Sequence, residues 1–322
     1  VHDVCRLMAV EDPTKFPVLG GKVLDLKRFA RSDSKEWSCF NPSIGRTPDG
    51  RLAMAYRASN YVILQHGELF VTNGGKIRNQ IWFSELSKDF TIENFRKIEL
   101  PKYEHPTPRG AEDARIFWRD GHWNFTATMA ERDIPVARLC VCEMDVKATK
   151  ATSLTLHTGV RHNKPEKNWM VPDFTPNRNF DFVYGPTAII KDGKVIHTLS
   201  DNPQISGLRG NSHLVEQEDG TYLAIMHKLW ISTMDKMSEL TRGPVKWVYK
   251  DYGHYLVRFD QFGTLVEMSD PFRFVSRGIE FAAGMVEIGG DLVISFGKWD
   301  QSSHIAIVPK KAALRMMKPV TL

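Results

Sequence analysis

AAGMVEIGGDLVISFGKWD, residues 282 to 300, is the stretch from which the fold can be read. Apolar runs flank Gly289-Gly290, and a two-glycine link between such runs marks a β-hairpin, because its turn positions need backbone angles that glycine adopts freely. The run after the turn, DLVISFGK, is one of the short alternating runs, bounded by Gly, Asp and Asn, that recur along the chain as strand candidates. The same design recurs at Asp49-Gly50, between NPSIGRTP and RLAMAYRAS, and at Asp120-Gly121, between EDARIFWR and HWNFTATMA. It returns at Asn177-Arg178-Asn179, between NWMVPDFTP and FDFVYGPTA, and at Asp219-Gly220, between NSHLVEQE and TYLAIMHKL. Long helical periodicity is hard to find between these units. Five repeats of one hairpin pattern without intervening helices predict an all-β chain, a five-bladed β-propeller. The step from the third turn to the fourth is the shortest, so the third blade should have a short outer edge, with Asp192-Gly193 as its second hairpin.

These readings predict a single domain over residues 1–322. Residues 1–36 wrap the outside or close the last blade, 37–309 form the five blades, and 310–322 form a tail. PKKAALRMMKPVTL within that tail reads as a short amphipathic helix with Leu314, Met316 and Met317 turned toward the propeller.

Composition excludes several classes. The chain has 322 residues, of which 42% are hydrophobic, enough for a sizeable core. Its 43 basic and 38 acidic residues leave a net charge of only +5, and no Lys/Arg run interleaved with aromatics suggests a nucleic-acid partner. Mild basicity favours anionic ligands. Cys5, Cys39, Cys140 and Cys142 form neither a disulfide ladder nor a zinc knuckle and read as reduced and structural. No apolar run reaches the length of a membrane span, and VHDVCRLMAV has no secretory apolar segment, so the expectation is a cytoplasmic protein without membrane association; a removed signal peptide would leave no trace. The GGK runs lack the spacing of a phosphate-binding loop, and no His/carboxylate cluster has metal-ligand spacing, so no metal or organic cofactor is expected.

In a propeller, the first residues of each innermost strand can point into a shared axial funnel. Here those residues are polar: Asn41, Glu112 and Asp113, Lys167 and Asn168, Asn211 and His213, and Glu280. The returning strands deliver Arg57, Thr128 with Arg132 beyond it, Tyr184, His227 and Lys228, then Lys298 and Asp300. Any one of these alone is most simply a solvated or salt-bridged strand end. Recurrence in register across five units points to a shared pocket.

FNPSIGRTPDGRLAMAYRA, GAEDARIF, TATMAER, EKNWMVP, NSHLVEQEDGTYLAIMHK and GMVEIGGDLVISFGKWD, in that order over roughly residues 39 to 309, resemble glycoside hydrolase family 130. That family comprises mannoside phosphorylases and hydrolases, with related mannosyltransferase-phosphorylases. The most specific pieces are Asn-Pro followed by Tyr-Arg, the Gly-X-Glu-Asp-X-Arg element, the Lys-Asn pair and the late Gly-X-X-Asp. The resemblance implies a five-bladed propeller, independently of the repeat reading. It also implies an inverting enzyme, most simply a β-mannoside phosphorylase that uses inorganic phosphate as co-substrate and releases mannose 1-phosphate. Asp113 matches the catalytic acid, which would donate its proton directly or through a sugar hydroxyl. Asn41, Arg57, Glu112, Asn168 and Asp300 match substrate-binding positions, and Arg132, Lys167, His213 and Lys228 are the candidates for holding phosphate. Because neighbours in a strand point to opposite faces, Glu112 is expected to orient Arg57 or Arg115 and not to catalyse. Trp169 and Trp299 could offer faces to sugar rings or pack between blades.

Two departures from the family pattern matter. Ala114 stands where Pro usually follows Glu-Asp. The His-Arg pair expected after the third-blade strand is replaced by Tyr184, Gly185, Pro186 and Thr187. A hydrolase and a transferase using an activated sugar therefore stay open as alternatives, as do a non-catalytic sugar-binding propeller and a protein-interaction module. For the hydrolase, Glu280 is the candidate base, against the simpler reading of a salt bridge to Arg277. The partner expected is an oligosaccharide or glycoside; whether the chain is a homo-oligomer is left open.

Overall fold

The computed structural model describes residues 17–26, 29–32, 35–63, 69–72, 75–101, 109–130, 137–157, 166–173, 179–185, 188–198, 202–237 and 244–321. Five antiparallel sheets form a five-bladed β-propeller. From the innermost strand outward, blade one is Lys35–Arg46, Leu52–Ser59, Asn79–Leu86 and Ile92–Lys97, with Phe29–Ser32 on the other side of its inner strand. Blade two is Glu112–Arg119, His122–Ala130, Ala137–Met144 and Ala151–Leu156. Blade three has short strands, Trp169–Met170, Phe182–Tyr184, Ala188–Lys191 and Lys194–Thr198, the last two joined through Asp192-Gly193. In blade four, Arg209–Gly210 and Val215–Glu216 both pair with the long strand Tyr222–Met237, followed by Pro244–Phe259 and Leu265–Ser269. Blade five is Glu280–Ile288, Asp291–Lys298 and Ser302–Pro309, and Lys22–Asp25 pairs with the last of these as its outermost strand.

Each boundary between neighbouring blades carries its own apolar core. Phe83 and Ile81 meet Ile116 and Phe125 between blades one and two, and Phe117 meets Trp169 and Phe182 between two and three. Phe180 and Val183 meet Tyr222 and Val257, Leu223 and Ile225 meet Met285 and Phe296, and Val286 and Ile305 meet Ile44 and Tyr56. A middle strand therefore contributes to two cores at once, which is why every residue of LAMAYRAS in Leu52–Ser59 is buried. Serine hydroxyls link adjacent blades: Ile44 N donates to Oγ of Ser295, on the second strand of blade five, at 2.9 Å, and Ile116 N donates to Ser43 Oγ between the inner strands of blades one and two at 3.0 Å.

The tail departs from a simple helix. Lys310–Leu314 makes a single helical turn, and Met317–Pro319 then adds a strand to blade four beside Leu265–Ser269. Leu314, Met316 and Met317 do pack on the core between blades four and five. Among the described residues no helix is long and apolar enough to cross a membrane. Cys39, Cys140 and Cys142 are buried free thiols, and Cys5 lies outside the described residues.

Candidate functional site

The heads of the inner strands share an unusual backbone. Ladder register skips between Phe40 and Ser43, between the partners of Glu112 and Arg115, and between Phe281 and Gly284, so three inner strands carry a bulge near the same end. Asn41 and Asp113 lie within the first two bulges at φ 48° and 52°, and Asn168 and Asp300 adopt φ 66° and 52° at the matching ends of blades three and five. The left-handed region is unfavourable for most side chains and tolerated best by Asn and Asp. Such strain persists only where the surroundings enforce it, and it concentrates at functional sites. At Asn41 the enforcement is visible: Gly297 passes so close that a Cβ there would lie 2.2 Å from Asn41 Oδ1.

These heads converge on Asp113. Its Oδ1 accepts hydrogen bonds from Asn41 Nδ2 at 2.9 Å and Arg57 Nη1 at 3.0 Å. Arg57 also reaches Glu112 Oε1 at 3.7 Å and donates through Nε to Asn79 Oδ1 at 3.0 Å. Asn79 Nδ2 in turn donates to Glu112 Oε1 at 3.3 Å, and Lys167 Nζ donates to Glu112 Oε2 at 2.9 Å. Arg115, fully buried, donates to the Asp113 carbonyl at 3.1 Å, to Asn168 Oδ1 at 3.0 Å and to the Asn211 carbonyl. Its guanidinium lies 5.6 Å from the centre of the Phe281 ring. Across the funnel, Tyr61 OH donates to Asp300 Oδ2 at 2.7 Å. All five blades thus contribute to one connected polar network.

The expectation that Glu112 points away from Asp113 is overturned. The left-handed turn at Asp113 breaks strand alternation, and both carboxylates meet the same guanidinium of Arg57. Glu112 is the bridge between Arg57 and Lys167. Glu280 is corrected too. It makes no pair with Arg277, which binds Asp251 at 3.2 Å. Instead its carboxylate accepts backbone N–H bonds from Phe274, Val275 and Ser276 at 2.8, 2.9 and 2.9 Å. Fully buried and held by three backbone N–H groups, it clamps a loop. Trp169 packs against His157, Phe182 and Tyr184 with 2% exposure and presents no face to a sugar. Trp299, half-buried, lies against Gly278.

Electrostatics separate Asp113 from Asp300. Burial works to raise the Asp113 pKa, but Arg57, the Asn41 hydrogen bond and the charges of Lys167 and Arg115 outweigh it and hold the group down at about 2. Asp113 is therefore a carboxylate in the free protein. Asp300 is pushed up from the ordinary carboxylate value, by burial above all and further by the Asp113 charge, against the opposing effect of Arg57 and Tyr61. Burial pulls Arg115 down to about 10 and acts in the same direction on Arg57, where the Asp113, Tyr61, Glu112 and Asp300 charges win and raise it.

The candidate phosphate ligands divide. Arg132 lies outside the described residues. Lys167 is exposed but engaged by Glu112. His213 is fully buried, 3.7 Å from Asp173 Oδ2, and burial holds it down at about 4, so it brings no positive charge at neutral pH. Lys228 is half-buried, with Nζ 5.8 Å from the centre of the Trp230 ring. Sequence reasoning missed Asn79 and Tyr61. No motif marks either: Asn79 heads the blade-one strand Asn79–Leu86, and Tyr61 heads the short strand Tyr61–Ile63. Among the described residues, no group of three or more His, Cys, Asp or Glu side chains is placed to hold a metal ion.

No protein-family model and no curated protein matches the chain. Solved structures do. The β-1,2-mannobiose phosphorylase of Listeria innocua superposes with a TM-score of 0.57 at 15% identity, covering 89% of this chain and 94% of its own. A structure of the GH130 family of mannoside phosphorylases, from work on glycoside hydrolases that target β-1,2-mannosidic linkages in Candida mannan, gives 0.55 at 16% identity over 98% and 94% of the two chains. The GDP-Man-dependent mannosyltransferase MPT-1 of Leishmania mexicana gives 0.53 at 11% identity over 85% and 86%. At these identities the comparison establishes the shared propeller fold.

Proposed function

We propose that the chain is an inverting carbohydrate-active enzyme that transfers a mannosyl group between a saccharide hydroxyl and phosphate, with Asp113 as its acid and base. One observation carries the reading: a strained, ionised aspartate held by Arg57 and Asn41 at the meeting point of five blades. In the cleavage direction, a phosphate oxygen bonds to the anomeric carbon as the glycosidic C–O bond breaks, and the departing oxygen receives the Asp113 proton, directly or through a sugar hydroxyl. Phosphate is already a nucleophile, so one carboxyl suffices. A hydrolase would need a second carboxylate roughly 6.5–9.5 Å away to activate water, and Glu280, the residue considered for that task, is consumed by backbone N–H groups.

The low pKa of Asp113 favours the reverse direction. A carboxylate in the free enzyme is ready to take the proton of an acceptor hydroxyl as that oxygen attacks a mannosyl group activated by phosphate. In cleavage the acid must first be protonated, and arrival of a phosphate dianion would help by opposing the cations that hold Asp113 down. A mannosyltransferase using a nucleotide-activated sugar is the second reading, supported by the same carboxylate and by the fold shared with the Leishmania transferase.

The test is incubation with β-1,2-mannobiose with and without phosphate, and of mannose with mannose 1-phosphate or GDP-mannose. Phosphate-dependent appearance of mannose 1-phosphate, and its consumption in the reverse assay, are expected. Free mannose released without phosphate would replace the proposal with hydrolysis, and turnover of GDP-mannose alone would replace it with the second reading.

A further inference from the structure

A cavity of about 620 Å³ lies beside the network, at the boundary between blades one and two, and none of its lining residues bonds to Asp113. That volume is in the range of small-ligand sites. Trp37, Ile98 and Leu100 give it an apolar part. Its charged part comes from three separate segments: Arg78 precedes the strand Asn79–Leu86, Lys97 ends the strand Ile92–Lys97, and Arg109 closes the connection to blade two. Glu99 is the one carboxylate among the described lining residues, so cations outnumber it three to one. Lys97 and Arg109 are exposed, and their side chains make no hydrogen bond or ion pair among the described residues. Two unspent cations at one cavity repel each other, and an acidic ligand between them removes that cost.

One residue ties the cavity to the network. Asn79 lines it, and its backbone N and its Nδ2 both donate to the Arg109 carbonyl, at 2.7 and 3.0 Å. Gly110 lets that contact form: it adopts φ 77°, and a Cβ there would lie 2.4 Å from the Asn79 carbonyl oxygen. The same Asn79 side chain accepts from Arg57 Nε and donates to Glu112, and Arg57 in turn holds Asp113. A single guanidinium thus separates Asp113 from the cavity wall.

We propose that this cavity seats the acidic group of the saccharide that gives up or accepts the mannosyl unit, which makes that saccharide a phosphorylated or uronic sugar instead of a neutral one. The inference rests on the reading of Asp113 as the acid and base, since that reading brings a reacting hydroxyl close to Asn79. Phosphoryl and carboxylate oxygens suit the planar donor fork of Arg109 and the ammonium of Lys97. Trp37 and Leu100 offer apolar surface to the C–H faces of a sugar ring, the usual division of labour in a small-ligand pocket. The acidic group so held is distinct from the phosphate that reacts with the anomeric carbon. Because both unspent cations are exposed, salt screens them, and the attraction weakens as ionic strength rises.

The experiment measures synthesis from mannose 1-phosphate with mannose, mannose 6-phosphate or glucuronic acid as acceptor, and calorimetric titration of the same three sugars, on the full chain and on Lys97→Ala, Lys97→Glu and Arg109→Ala. At least one acidic sugar should be preferred to mannose. Its Kd and KM should rise about 10-fold in K97A or R109A, the worth of a charge-assisted hydrogen bond, and further in K97E, while kcat with mannose stays unchanged. Tighter binding of mannose 6-phosphate than of glucuronic acid identifies the phosphoryl group as the one recognised, and the reverse order identifies the carboxylate. No preference for either acidic sugar over mannose, or equal losses for acidic and neutral sugars in the variants, overturns the seat. A higher KM for inorganic phosphate in K97A and R109A also overturns it, since the cavity would then serve the reacting anion. Acidic-sugar binding that falls in R109A, in a chain without transfer activity, overturns the role of Asp113 and keeps the seat. Transfer to mannose that the variants leave untouched, without binding of either acidic sugar, overturns the seat and keeps the role of Asp113.

Discussion

Asp113 owes its chemistry to what surrounds it. Replacing it with Asn keeps the Asn41 and Arg57 contacts in outline but removes the proton carrier, and turnover should fall by about 10²- to 10⁴-fold with little change in sugar binding, measured as kcat against mannobiose affinity. Arg57→Ala should cost about 3–5 kcal/mol in urea unfolding, because Asp113 and Glu112 would be left buried beside too little positive charge. It should also raise the Asp113 pKa, since only the Asn41 hydrogen bond and the charges of Lys167 and Arg115 would then oppose burial. In the intact protein the carboxylate is ionised at all pH values well above about 2. The sign of the pH effect follows: synthesis, which uses the base, should hold its rate from pH 5 to 8, while cleavage, which needs the proton, should slow as pH rises. Initial rates in both directions across that range check this.

Bulges at the strand heads turn ordinary blades into a site, and Gly297 is the residue that lets one of them stand. Gly297→Ala would drive a methyl into Asn41, within 2.2 Å of Oδ1 and 2.5 Å of the backbone N. The expected result is about 1–3 kcal/mol of destabilisation by overpacking, with a loss of activity larger than that of a surface control, read from a thermal melt and a mannose 1-phosphate assay. These bulges also explain what could be read from the sequence. Hairpins at Asp49-Gly50, Asp120-Gly121, Asp219-Gly220 and Gly289-Gly290 are written in local turn chemistry and apolar periodicity, so the blades were legible. Alternation then predicted opposite faces for Glu112 and Asp113. It failed because a single residue in the left-handed region cannot be told from an extended one by hydropathy; the only local hint is that Asn or Asp occupies positions 41, 113, 168 and 300. The Glu280 clamp was equally hidden, since its partners are backbone N–H groups that no side-chain pattern encodes.

Over the molecule as a whole, stability rests on five inter-blade cores and on buried neutral histidines. Burial holds His213 at about 4 and His254 at about 3. A depressed histidine pKa contributes stability that is fully present above the unfolded value near 6.5 and is lost as pH falls toward the folded value. Urea midpoints should therefore drop steadily from pH 6.5 to 4, and the slope should flatten in His254→Leu. Removing residues 1–25 should lower the melting temperature by several degrees and promote self-association, because Ser302–Pro309 would become an unpaired edge. That same pairing has a temporal side. Lys22 sits opposite Ile307, so a strand synthesised before blade one must wait for the last strand of blade five, and pairing over that sequence distance is slow. During translation the first four blades can build their cores in order while the early strand stays unplaced. The ring shuts only after the ribosome has released its last blade, and a nascent-chain crosslink between positions 24 and 305 should form at that moment and not before.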